Sequence, residues 1–161
     1  MMSTEDALEE LFATAPAATF TRRKEAIPGD LRIAYRLALL VLLLYRFRSN
    51  TAALEHLHTM WWAVRSEETR QLFLRWYDGD KRPDEIIVRF DPSLSVTVDL
   101  GLGAELIQTT STGSVALTEK GVAYVVDLWS EANVLREEKA FLNRLPRKMS
   151  QRVLKELTEW Q

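Results

Sequence analysis

The chain has 161 residues, of which 47% are hydrophobic and 27% charged, the balance of a folded globular protein rather than a disordered one. Its 21 basic and 23 acidic residues leave a formal charge of -2, so the whole molecule has no general attraction for nucleic acid or acidic lipid. It has no cysteine and only two histidines, which excludes disulfides, thiolate metal sites, thiol catalysis and His-rich metal sites.

Residues 1–30 read as an N-terminal arm. Met2 to Phe12 has a short amphipathic pattern, with Leu8, Leu11 and Phe12 on one side, and Ala13 to Ala18 is Ala/Pro-rich. The first ten residues are acidic (Glu5, Asp6, Glu9, Glu10), where a secretory signal would be positive, so a cytoplasmic location is expected. Arg22, Arg23 and Lys24 form a small basic cluster, and Pro28-Gly29-Asp30 reads as a turn ending in an N-cap residue.

Residues 31–161 read as one helical domain. Leu31 to Phe47 is predicted to be a helix buried all round. Its apolar run Leu37 to Tyr45 is nine residues long and flanked by arginines, far short of the roughly 20 apolar residues that span a bilayer. Ser49-Asn50-Thr51 is expected to break that helix and cap the next, Ala52 to Val64, where Leu54, Leu57, Trp61 and Val64 fall at helical spacing. Ser66 caps a third helix running to Tyr77. Ile86 to Phe90 is β-branched and aromatic and reads as a strand.

Asp91-Pro92 is an N-cap followed by proline at the first helical position. Beyond it, Leu94, Val96, Val98, Leu100 and Leu102 alternate as in a strand, but Leu94, Val98 and Leu102 also share a helical stripe. The Asp-Pro start favours a helix. Leu106 to Thr110 and Ser114 to Leu117 form a hairpin around Ser111-Thr112-Gly113. Thr118 caps a long helix, whose apolar period runs from Val122 through Trp129 and Leu135 to Leu145, where Pro146 stops it. Ser150 caps a last helix with Val153, Leu154, Leu157 and Trp160 apolar.

The fold class is therefore mainly α with a small β-hairpin. A helix, a two-stranded wing and a Thr-capped helix with Gly121 in its first turn make a winged-helix-like domain with additional N- and C-terminal helices. A small residue at Gly121 would let the helix start pack close to the wing.

A winged helix usually suggests duplex reading, yet Pro92 to Ala104 carries no Lys or Arg and one acid, Asp99, and the wing Gln108 to Ser114 is uncharged. Affinity for a duplex comes largely from cations on phosphates. This helix therefore suits burial against protein better than a groove. Basic residues gather instead at Arg144, Arg147, Lys148, Arg152 and Lys155. That cluster is either a solvated helix face or a patch for DNA backbone or an acidic partner. Trp61, Trp62, Leu94 and Val96 are candidate partner-binding residues, tryptophan being enriched in hot spots.

Candidates for catalysis are weak. His56 and His58 are two apart on a helix and point to different sides. Gly101-Leu102-Gly103 lacks the later glycine and acid of a dinucleotide fingerprint. Glu137 and Lys139 with Asp84 or Asp91 would need a strand to carry the Glu-x-Lys element of a nuclease, and none does. No enzyme activity and no cofactor are expected.

Several stretches together carry a family resemblance over roughly Leu31 to Trp160. They are the long apolar first helix, His58-Thr59-Met60-Trp61-Trp62-Ala63, Ile87-Val88-Arg89-Phe90-Asp91-Pro92, Glu105-Leu106-Ile107, Leu117-Thr118-Glu119-Lys120-Gly121 and Glu138-Lys139-Ala140-Phe141-Leu142. The chain resembles the small middle component of bacterial ABC-three-component systems, the group that includes Lamassu-type anti-phage defence. The resemblance implies an accessory subunit beside a large SMC-like ABC ATPase that senses DNA and an effector subunit, often a nuclease. It brings no catalytic motif, and double-stranded DNA would be met through the complex, with no membrane partner. A winged-helix transcription regulator, dimeric through Val122 to Leu145, is the alternative.

Overall fold

A computed structural model describes residues 29–80, 86, 88 and 90–158. The sequence's most apolar run forms the spine of the molecule, helix α1 (Gly29–Arg46). Leu39 through Leu44 are almost fully enclosed, each worth roughly 1.5–3 kcal/mol relative to exposure. They are enclosed because the remaining elements close around the helix. Among the described residues no helix is long and apolar enough to cross a membrane.

A 3-10 turn (Arg48–Asn50) follows, with Ser49 and Asn50 at φ +58° and +53°, and then strand β1 (Thr51–Ala52). Here the sequence expectation is corrected: Thr51 enters a sheet instead of capping a helix. Helix α2 (Leu54–Val64) starts after Ala53 without a cap from its own side chain. Its cap comes from the far end of the chain, where Gln151 Oε1 accepts hydrogen bonds from Ala53 N (2.8 Å) and His56 Nδ1 (2.7 Å).

Helix α3 (Glu67–Tyr77) has the expected Ser66 cap, closed into a reciprocal box with Thr69. Ile86, Val88 and Phe90 lie outside any strand, contrary to expectation, while Ile87 and Arg89 fall outside the described residues. The N-terminal arm through residue 28, Asp84 and Trp160 also lie outside them.

The Asp-Pro start does open a helix, α4 (Pro92–Gly103), with the Asp91 side chain accepting from Ser93 N at 2.9 Å. The hairpin consists of β2 (Ile107–Thr109) and β3 (Val115–Leu117). Both β1 and β2 pair antiparallel with β3, giving the order β1-β3-β2, with Thr51 opposite Ala116 and Gln108 opposite the same residue.

The expected long helix from Val122 to Leu145 is two helices, α5 (Glu119–Ser130) and α6 (Arg136–Asn143), separated by a turn in which Leu135 is left-handed at φ +52°. The buried Lys139 explains the break. Its ammonium folds back to donate to the carbonyls of Leu128 and Glu131, both at 2.6 Å. These are the carbonyls a helix end leaves without partners. On α6, Glu137 holds the buried Arg70 at 2.8 Å, and Arg70 also donates to the Val64 carbonyl at the end of α2. Phe47 and Met149 form an isolated parallel bridge, and α7 (Gln151–Thr158) packs Leu154 and Leu157 into the core.

Candidate functional site

Two surfaces stand out. The first is the outer face of α4 with the adjoining wing. Successive turns of α4 bury Leu94, Thr97 and Gly101, so Val96, Asp99 and Leu100 face outward, and Val96 is 53% exposed. Leu102 is exposed as well. The wing is a tight uncharged turn in which Gly113, at φ +79°, donates to the Thr110 carbonyl. The exposed α4 side chains are mainly apolar with one acid, the wing is polar but uncharged, and neither carries a cation.

The expected partner residues separate in the structure. Trp61 is 3% exposed and donates its indole N–H to Asp91 Oδ2 at 3.2 Å, and Leu94 is fully enclosed. Both are core residues with nothing to offer a partner. Trp62 is half-buried, and only Val96 lies open. Leu100, one turn on from Val96 and on the same side of α4, extends the apolar surface that sequence reasoning placed on Val96, and Leu102 and Phe90 are exposed elsewhere.

The second surface is a cleft of about 640 Å³ between the end of α1, α5 and the loop before α7. Arg46 forms one wall and is 5% exposed. Its guanidinium stands 5.0 Å from the Trp129 ring centroid and donates from Nη2 to Asn143 Oδ1 at 2.7 Å. Burial, and next the Arg147 charge, push Arg46 below its ordinary arginine value, although a guanidinium stays charged. Arg147 and Lys148 line the same cleft with Val122 and Val126, and no carboxylate is among the described lining residues.

The structure thus divides the basic cluster. Arg147 and Lys148 turn to the cleft, joined by Arg46, which sequence reasoning had read only as the flank of an apolar helix. Arg144 lies on a separate groove, 3.7 Å from Asp78. Arg152 and Lys155 are exposed on α7.

The residues weighed for catalysis are engaged structurally. Glu137 and Lys139 hold helix ends together, and Asp91 caps α4 while pairing with Arg65 at 2.6 Å. His56 is buried against Gln151, whereas His58 packs on Phe90 with centroids 4.7 Å apart.

His58 and Asp91 give the fold a pH dependence. Burial lowers the His58 pKa below 6.5, with the Asp91 charge opposing. Burial works against the Asp91 carboxylate, but the Ser93 hydrogen bonds, Arg65 and the Trp61 N–H outweigh it and hold its pKa below 3.8. An unfolded chain protonates His58 first, so stability falls as pH drops below 6.5. The Asp91 contribution, present above 3.8, is lost only as pH falls through its lower folded value. Urea midpoints should therefore decrease between about pH 7 and 5, and His58→Leu should flatten that limb. An unchanged slope in the variant would show that other groups set it.

Compared with known proteins, the chain matches no family model, no curated protein and no solved structure.

Proposed function

We propose that this chain is a non-catalytic, winged-helix-like accessory subunit of an SMC-like ABC ATPase complex, bridging the ATPase and a nuclease-type effector in cytoplasmic anti-phage defence. The reading is supported by the order helix, strand, three helices, strand, turn, strand and by the sheet order β1-β3-β2. The carrying observation is the outer face of α4. The helix that would enter a major groove in a duplex reader instead exposes Val96, Leu100 and Leu102, with no cation on it or on the wing. Such a face pays a desolvation penalty against phosphate and gains from contact with another apolar surface.

The test is capture of the tagged chain from cells that also express its neighbouring genes, with and without nuclease treatment. Recovery of a large ATPase that survives nuclease is the expected result. Recovery of duplex DNA alone would instead favour the transcription-regulator reading, whose binding would fall steeply with salt.

A further inference from the structure

The cleft beside Arg46 has a charge pattern that its own residues do not balance. Arg46, Arg147 and Lys148 converge on it without a carboxylate among the described lining residues. A buried cation is ordinarily paired or fully hydrogen-bonded. Arg46 has one short bond to a neutral carboxamide, and its Nε is buried with no partner among the described residues. The indole N–H of Trp129, which also lines the cleft, is likewise buried without a partner.

The backbone adds an independent observation. Asn50 and Lys148, both lining the cleft, are held at φ +53° and +61°. Left-handed conformations at non-glycine residues cluster at ligand clamps and are kept only where the surroundings enforce them. Here the enforcement is visible: Met149 N donates to the Arg46 carbonyl at 2.7 Å and Arg48 N to the Met149 carbonyl at 3.1 Å, locking the two segments side by side.

We propose that this cleft binds a nucleotide-sized organic phosphate, its phosphoryl group held by Arg46, Arg147 and Lys148 and its less polar part lying along Val122 and Val126. A volume of about 640 Å³ lies within the usual range for small-molecule sites. It is far larger than an inorganic phosphate requires, and the valine wall gives such an ion nothing to contact. The recessed position of Arg46 favours a free small molecule over the broad ridge of a duplex. Guanidinium groups suit phosphoryl oxygens because their planar fork of donors matches them. The proposal does not depend on the accessory-subunit reading.

The experiment is isothermal titration of the full chain with AMP, ATP, inorganic phosphate and a short DNA duplex, alongside thermal melting. AMP or ATP should bind saturably with a sub-millimolar Kd, more tightly than inorganic phosphate, and should raise the melting temperature. Lys148→Gly removes one cation and relieves the left-handed backbone, so it should weaken binding by about tenfold while leaving the fold as stable or more so. Val126→Glu, which puts a carboxylate on the cleft wall, should abolish binding. Arg152→Glu changes the net charge by two units rather than one, on α7 and outside the cleft lining, and should leave binding intact. Absence of saturable nucleotide binding, equal affinity for inorganic phosphate, binding of the duplex alone, or equal loss in Arg152→Glu would each overturn the proposal.

Discussion

Gly121→Ala should lower the stability of the domain by about 2–3 kcal/mol, although alanine gains about 1 kcal/mol over glycine inside a helix. A Cβ at Gly121 would fall within the van der Waals envelope of the Leu106 carbonyl oxygen, and 3.2 Å from Leu117 Cδ2. The first obstacle is backbone, so no rotamer change relieves it. Nor can Leu106 withdraw cheaply, because its carbonyl accepts from Thr118 N and its amide donates to the Gly101 carbonyl. The start of α5 is pinned to the same place by Thr118 Oγ1 on the Glu105 carbonyl (2.6 Å) and Lys120 Nζ on the Ala104 carbonyl (2.8 Å). The helix would have to lift off the wing. A thermal melt should show a loss of roughly 10 °C. Gly103→Ala is the control: nothing lies within 4 Å of its Cβ. It should be neutral or stabilising, and equal destabilisation of both variants would show that steric contact at Leu106 is not the cause.

Gly121 was legible in the sequence because its reason is local: a Thr-capped helix directly after a hairpin leaves little room at its first turn. The same holds for the Ser66, Asp91 and Thr118 caps, each a side chain serving amides two or three residues away. The apolar run of α1 was legible for a different reason, since no partly exposed helix would carry it. Elements whose cause lies far along the chain were not legible. Strand β1 is two residues long and exists because β3 offers it an edge. The break between α5 and α6 interrupts an apolar period that continues through it, and it is fixed by Lys139 returning to Leu128 and Glu131.

The candidate site divides along the same line. The lack of charge on α4 is a property of one segment and could be read directly. Burial of Trp61 and Leu94 could not, because an apolar side chain in a helix looks alike whether it faces core or partner. The cleft was least legible. Arg46 ends one helix, Trp129 ends another and Arg147 and Lys148 lie in a loop, so only the folded chain brings these groups together.

The α4 face makes the second large prediction. Val96→Glu combined with Leu100→Glu should reduce capture of the ATPase by at least roughly a hundredfold, about 3 kcal/mol, the scale of an interface hot spot. Interface centres are depleted of charge, and a carboxylate forced into one without a partner carries its full desolvation cost. Both positions are exposed in the isolated chain. Surface changes of this kind usually stay within about 0.5 kcal/mol of neutral, so the melting temperature should hardly move. That separation matters because Leu94→Ala, two residues before Val96, should also lose capture, but through a cavity costing about 2–5 kcal/mol of stability. A stable double variant that no longer recovers the ATPase would locate the contact on α4. A stable double variant that still recovers it would remove the observation on which the accessory-subunit reading rests.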